Sequence, residues 1–337
     1  MCFHNSCMGS FISFDYQLRK RTAGSIEGLF DEVINRTFQE ADERKMELEI
    51  IHVLHPLSSL CTAKAEPCVM VLGFFDGVHL GHQELINRAK KIALQQDLKL
   101  AVMTFFPHPK QIIGSDQTPK KYITPLVQKA KIMQELGVET LIVVNFDSAF
   151  ANLSPFGFIQ EYLCGFKCKH AVAGFDFRYG YKGEGNMEKL KIEGKRFFEV
   201  TEVEKFEIAH EKVSSTMLRN LIENGRFADI PAYLGTYFQS HGTINSSYFR
   251  SKNHQHFLVT LSEAFLTPPP GVYLIEMQND GNVYEGIAYQ TMEESNQESW
   301  HLQFNDYLPL EDMKIHIKWK CESTKKLNQM TDMRAVY

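Results

Sequence analysis

The first regular pattern of apolar and polar positions begins after residue 45. Leu48-Glu-Ile-Ile-His-Val-Leu54 reads as a strand, and strands and helices then alternate. Val69–Leu72 is a continuous apolar strand. Gln83–Gln96 is a helix, with Leu85, Ile86, Ala89, Ile92 and Ala93 near a 3.6-residue spacing and Glu84, Arg88, Lys90 and Lys91 between them. Leu98–Phe105 is a strand, Leu126–Leu136 a helix closed by Gly137, and Thr140–Asn145 a strand. Pro155–Leu163 is a helix and Ala171–Ala173 a short strand. Apolar strands alternating with helices predict a parallel sheet covered on both faces, a doubly wound α/β domain. Ligands of such folds bind beyond the C-terminal ends of the strands.

Gly180-Tyr-Lys-Gly-Glu-Gly185 reads as a mobile loop, and Phe197–Val203 as a further strand. Ser214-Ser-Thr caps a helix carrying Met217, Leu218, Leu221 and Ile222 on one side and ending at Asn224-Gly225. A short helix through Ala232–Leu234 leads to Gly235. Beyond Tyr237 the period changes to short β-prone runs: Phe257–Leu261, Gly271–Met277, Val283–Tyr289, Trp300–Phe304 and Lys314–Trp319. Asn279-Asp-Gly-Asn282 is a hairpin signal between two of them. This last third is expected to form a small antiparallel β barrel or sandwich. The domains expected are therefore 46–236 and 237–337. Residues 1–45 stand apart, with a basic Arg19-Lys-Arg21 and one amphipathic helix over Ile26–Phe38. The expectation is that Met46 is the natural start and the preceding segment an upstream extension; the alternative is a genuine appended helix.

A chain of 337 residues has room for two cores, and 44% hydrophobic with 23% charged residues is the composition of a soluble globular protein. A net charge of −5 with no long Lys/Arg cluster argues against nucleic-acid binding. Seven scattered cysteines without a C-x-x-C pair argue for a reducing cytoplasm over a disulfide framework. Cys2, His4 and Cys7 lack the fourth ligand and the spacing of a metal motif. No apolar run is long enough for a bilayer, and no secretory leader pattern is seen at the N-terminus.

The candidate chemistry centres on Cys68-Val-Met-Val-Leu-Gly-Phe-Phe-Asp-Gly-Val-His-Leu-Gly-His82. A strand runs into a glycine turn and a helix start, where free N–H groups and the helix dipole face one point. His79 and His82 add two imidazoles beside any phosphate held there. Nucleotidyl transfer needs the α-phosphate held in line and its developing charge stabilised, and these groups suit that task. The bland reading of H-x-G-H is a capped helix start. A metal reading is weaker, because H-x-x-H lacks the one-turn spacing of H-E-x-x-H and no third ligand is placed nearby. Val213-Ser-Ser-Thr-Met-Leu-Arg219 offers hydroxyls at a second helix start, with Arg219 able to pair with a phosphate. Gly174-Phe-Asp-Phe-Arg-Tyr-Gly180 gathers a carboxylate, an arginine and three aromatics suited to a planar ring. Phe106-Pro-His-Pro109 follows a strand and fits a pocket wall or plain strand-exit packing.

Taken in chain order, Gly73–His82, Phe106–Pro109, Gly174–Gly180 and Ser214–Arg219, these four motifs resemble the prokaryotic bifunctional riboflavin kinase/FAD synthetase family, closely over about residues 46–244. The resemblance implies a Rossmann-like nucleotidylyltransferase domain with a parallel sheet, then a small riboflavin-kinase-like antiparallel β barrel. It implies the reaction FMN + ATP → FAD + pyrophosphate, with Mg²⁺. His79, His82, Ser214, Thr216 and Arg219 would act at the ATP phosphates. Gly73, Phe74, Phe75, Asp76, Gly77, Gly81, Asp176, Arg178 and Ser215 would bind the nucleotide. Phe106, Pro107, His108, Pro109 and Phe177 would lie on the flavin side. The C-terminal third departs from the family: the kinase motif G-F-P-T-A-N, whose Thr and Asn hold Mg²⁺ and nucleotide, has no counterpart in Gly242–Lys252. An ungapped alignment puts Trp300 where the kinase's catalytic glutamate belongs, and a short insertion would put Glu298 there. The expectation is a degenerate barrel without riboflavin kinase activity. Two other readings stay open: an adenylyltransferase for a pyridine or pantetheine nucleotide, and a flavin- or nucleotide-binding regulator without catalysis. The sequence leaves the oligomeric state open.

Overall fold

A computed structural model describes residues 48–113, 121–250, 254–279, 282–290, 300–305, 308 and 314–322. The expected helix over Ile26–Phe38 and the alternative glutamate Glu298 lie outside them. Residues 46–337 form one compact unit.

Six strands make one parallel sheet: β1 (Glu49–Val53), β2 (Cys68–Leu72), β3 (Lys99–Phe106), β4 (Thr140–Asn145), β5 (Cys168–Gly174) and β6 (Glu199–Val203), in the order β1-β4-β3-β2-β5-β6. All five residues of β2 are buried, as a strand covered on both faces must be. Val71 pairs with Val102 on one side and Val172 on the other. From β2 the chain first builds outward through β3 and β4, then crosses back to β5 and β6 on the opposite flank. The direction therefore reverses at β2, and the crevice beyond its C-terminal end is the switch-point position for a ligand.

The four longest helices among the described residues are α1 (Leu80–Gln96), α2 (Leu126–Glu135), α3 (Met187–Gly194) and α4 (Ser215–Glu223). The expected helix over 155–163 is an α-turn at Pro155–Gly157 that runs on as a π-helix over Phe158–Cys164. Gly137, with φ +84°, closes α2 as predicted. Other segments also differ from expectation. The expected mobile loop 180–185 is a closed turn, pinned by reciprocal backbone hydrogen bonds of 2.9 and 3.2 Å between Tyr179 and Gly185. Helix α3 was not expected, because its charged residues dilute the pattern; Asn186 caps it, and Met187 and Leu190 are its buried side chains besides Gly194.

After β6 comes a short antiparallel ribbon of β7 (Glu207–Ile208) and β8 (Glu211–Lys212), and the last third is a closed antiparallel barrel of β9 (Phe238–Arg250), β10 (Gln255–Leu261), β11 (Val272–Asn279), β12 (Asn282–Gln290), β13 (Trp300–Phe304) and β14 (Lys314–Glu322), in the order β10-β13-β12-β11-β14-β9. β9 lacks a clean alternation in sequence and was not expected. Trp300 and Trp319 are fully buried, edge to face at 4.9 Å, and Trp319 Nε1 donates to Ser240 Oγ at 2.8 Å. The barrel core does not stop at the barrel. Leu218, Leu221 and Ile222 of α4, with Phe227, Ile230 and Leu234, belong to the same buried cluster as Phe238, Phe257, Trp300 and Trp319.

Among the described residues no helix is long and apolar enough to cross a membrane, and Cys61, Cys68, Cys164, Cys168 and Cys321 are free thiols.

Candidate active site

The turn after β2 is tight and left-handed at three positions: Phe75 at φ +56°, Gly77 at +90° and Val78 at +44°. A β-branched valine in that region is uncommon and costs on the order of 1–3 kcal/mol, so the surrounding contacts must hold it. Gly77 is needed twice over. Its φ suits only glycine well, and a Cβ there would lie 3.2 Å from Leu218 Cδ1 of α4.

The turn delivers the chain into α1 with His79 as its N-cap. His79 Nδ1 accepts the His82 backbone N–H at 3.2 Å. In the neutral ring that leaves the proton on Nε2, so His79 presents an N–H donor away from its helix. The His82 ring stacks on His79 with centroids 3.6 Å apart and planes 14° apart, and meets Phe75 edge to face at 5.1 Å. Gly81 makes room for this: a Cβ would stand 3.2 Å from His79 Nδ1. Burial pulls His79 down to about 4. It pulls His82 well below its ordinary value, with the nearby His79 and Lys129 adding to the effect. Both are neutral donors at pH 7.

Asp76 locks this turn to two other elements. Its Oδ1 accepts from the Ile123 and Thr124 N–H groups at 2.9 and 3.1 Å, ahead of α2. Its Oδ2 forms an ion pair with Arg219 Nη2, which also donates to Lys121 O at 3.0 Å. Ser215 Oγ donates to Asp76 O at 2.7 Å, while Ser214 caps α4 by accepting Met217 N at 3.2 Å. Thr216 is exposed in the first turn of α4. The two helix starts singled out in the sequence are thus brought together, and Asp76 and Arg219 join them.

The other candidates divide. His108 packs edge-on to Phe74 at 4.4 Å, and burial, then Arg219, lowers it to about 4. Phe106, next in the wall, lies 5.9 Å from Tyr122, whose hydroxyl accepts His108 N at 3.1 Å. The Phe106–Pro107 peptide is cis, and Pro109 opens the short helix Pro109–Ile113. On the far side of β2, Asp176 is exposed and paired with Lys212 at 2.6 Å, and both act on His79 through their charge. Gly174 closes up against Asp176, since a Cβ there would sit 3.3 Å from its Oδ1. Phe177 stacks on Tyr179 at 5.7 Å, and Arg178 is exposed.

Two residues escaped the sequence reading. Tyr122 is buried and bridges the domains, accepting Leu266 N and donating its own N–H to Ala264 O, both at 2.8 Å. Lys129 of α2 is 3% exposed and donates to Phe74 O at 2.7 Å and Thr104 Oγ1 at 3.3 Å, with the Phe74 ring 4.8 Å away. Its signal was available: Leu126, Lys129, Ala130 and Met133 make one helical stripe, and a lysine inside such a stripe is out of place.

Residues 61–217 match the family model described as FAD synthetase. The chain is 40% identical over 245 residues to the bifunctional riboflavin kinase/FMN adenylyltransferase of Bacillus subtilis, covering 72% of this chain and 77% of the relative. It belongs to that family. A Listeria monocytogenes protein named FAD synthetase is 31% identical over 50% of this chain and 68% of its own. Among solved structures, a Streptococcus pneumoniae chain named macrolide-efflux protein superposes with a TM-score of 0.71 at 25% identity, covering 82% of this chain and all of that one. That likeness covers most of this chain, so the overall fold is shared.

Proposed function

We propose that this chain makes FAD by moving the AMP group of ATP onto FMN, and that its barrel no longer phosphorylates riboflavin. The observation that carries the first part is the stacked His79–His82 pair at the start of α1, set beyond β2 and tied through Asp76 to the start of α4. An oxygen of the FMN phosphate attacks the α-phosphorus of ATP. The new P–O bond forms as the bond to the β-phosphate oxygen breaks, and pyrophosphate leaves with the electron pair. No proton has to move, so catalysis lies in alignment and in stabilising charge on the phosphoryl oxygens. His79 Nε2–H, the His82 ring and the amides at the two helix starts supply that stabilisation; Thr216 and Arg219 flank the α4 end. Phe106, His108 and Phe177 supply apolar and aromatic surface for the flavin side, and Arg178 with Asp176 sits at the nucleotide.

ATP enters as its magnesium complex. Among the described residues no group of three or more His, Cys, Asp or Glu is placed to hold a cation, and both Asp76 oxygens are already engaged. A magnesium ion would come on the ATP phosphates, the usual arrangement for Mg²⁺. The second part of the proposal rests on Gly242–Lys252, which lacks the kinase motif, and on Trp300, whose indole fills the barrel core. The protein acts in the cytoplasm on small molecules.

Purified chain incubated with FMN and MgATP should yield FAD and pyrophosphate in equal amounts, and no FAD above background overturns the reading. Nicotinamide mononucleotide and phosphopantetheine, run as competing acceptors, should release no pyrophosphate. Riboflavin with MgATP should yield no FMN; its appearance overturns the loss of the kinase.

A further inference from the structure

We infer that Lys129 is a positioning residue of the adenylyl-transfer site, a buried cation that fixes the Gly73–Val78 turn and sets the charge beneath the phosphates. The inference rests on the reading of this site as an FMN adenylyltransferase.

A lysine is rarely buried unless a carboxylate pairs with it. The hydrogen bonds of the Lys129 ammonium are to neutral groups, Phe74 O at 2.7 Å and Thr104 Oγ1 at 3.3 Å, and it stands 4.8 Å from the Phe74 ring. Thr104 Oγ1 itself donates to the same Phe74 O at 2.9 Å. One carbonyl of the turn is therefore gripped twice, immediately before the left-handed Phe75. A neutral amide from Gln could hold that carbonyl as well. What only a cation adds is charge, and the anion it serves is not bonded to it. Asp76, the acid whose field reaches it, has its oxygens on Arg219 and the Ile123 and Thr124 N–H groups.

The titratable groups that feel this charge are Asp76 from the turn, His82 from α1 and His108 beyond β3, and Arg219 of α4 reaches it only through the shared Asp76. Burial does most to lower the proton affinity of His82 and His108, and the Lys129 field lowers it further, which favours the neutral rings. The field leaves the site short of negative charge until a polyphosphate arrives. Burial also weakens the ammonium's own hold on its proton, to about 8. The free protein accordingly loses this cation just above neutral pH, within reach of an activity profile.

The test is Lys129→Gln, which keeps a donor to Phe74 O and removes the charge. In the wild type, kcat/KM for MgATP with saturating FMN should fall above about pH 8, the value at which Lys129 gives up its proton. In K129Q, kcat should drop roughly tenfold to a hundredfold at neutral pH with KM for FMN within about twofold, and the alkaline limb should vanish. Lys129→Arg, which does not titrate in this range, should recover part of kcat and carry its limb upward. A K129Q protein with wild-type kcat, or one that keeps the alkaline limb, overturns the inference. If K129Q does not fold, the wild-type profile decides: a flat kcat/KM from pH 7 to about 9.5 overturns it and a limb upholds it. Wild-type protein that makes no FAD at any pH refutes the functional reading instead.

Discussion

Asp76→Asn isolates the brace between the two helix starts. The amide oxygen can still accept from Ile123 and Thr124, but its nitrogen now faces the Arg219 guanidinium as donor against donor. Removing one partner of a buried ion pair costs about 3–5 kcal/mol when the charge left behind stays dry. Arg219 is 25% exposed against 3% for Asp76, so it can partly rehydrate and still donate to Lys121 O. The expected cost is therefore lower, about 2–3 kcal/mol, read as a shift of the urea midpoint at constant slope. Arg219→Gln removes the other partner, and the double variant closes a thermodynamic cycle. Its coupling energy should be about 1–2 kcal/mol in favour of the native pair. Because the same pair sets α4 against the turn, kcat/KM of D76N for MgATP should fall about a hundredfold, the scale of an ångström's misplacement. A coupling energy below about 0.5 kcal/mol, or D76N with unchanged kcat/KM, refutes the brace.

His82→Ala should lower kcat about a hundredfold or more while changing KM for FMN little, checked by steady-state kinetics with pyrophosphate release as readout. Leu218→Ala, deleting a fully buried side chain of α4, should cost about 3 kcal/mol by chemical denaturation. Stability should also fall on acidification. His79 is held at about 4, so between that value and about 6.5 the unfolded chain binds a proton that the folded one refuses. The stability it contributes is complete above pH 6.5, shrinks as pH falls and is gone below about 4, a change of about 3 kcal/mol. His241, lowered to about 3 by burial and then by His316 and Lys131, extends the loss to lower pH. Melting temperature followed from pH 7 to 4 checks the slope, and His241→Phe should flatten its acidic end.

The doubly wound sheet was legible because its strands are unbroken apolar runs and α1 and α2 keep a clean helical spacing. The same logic hid α3, whose lysines and glutamates leave only Met187 and Leu190 as its buried apolar side chains. It also hid β9, a strand with few large apolar residues. The glycine-rich stretch near Tyr181 reads as mobile from composition, yet a turn sealed by backbone bonds can be as glycine-rich as a loose one. At the site, His79, His82 and the Ser214–Arg219 segment stood out because their chemistry is unusual at a helix start. What did not stand out was whom they would touch. Arg219 offers itself in sequence as a phosphate ligand, and in the fold it is also the counter-ion of Asp76, a long-range pairing no local pattern encodes. Lys129 was missed for the opposite reason. It occupied a core position, where a lysine reads as a blemish in the helical pattern unless its depth is known.

The continuity of the barrel core with α4 bears on why the β domain would persist if, as proposed above, it no longer phosphorylates riboflavin. A nine-residue helix has little stability by itself, because nucleation uses up most of what its few hydrogen bonds return. Its buried side chains, Leu218, Leu221 and Ile222, lie in the cluster that contains Phe238, Trp300 and Trp319, and Gly77 of the turn packs on Leu218 from the other side. The helix whose first turn carries Ser214, Ser215 and Thr216 is thus clamped between the turn and the barrel. Gln83 reinforces the same join, donating to Val78 O at 2.9 Å and Leu234 O at 3.2 Å across the exit into the barrel. Tyr122, beside Phe106 and Phe74, does so through Ala264 and Leu266. Selection on FAD synthesis alone would preserve these barrel contacts, whatever becomes of the residues that line a second active site. Substitutions at Trp319 or Phe227 should therefore reach the adenylyl-transfer rate through α4, although neither side chain belongs to the candidate site.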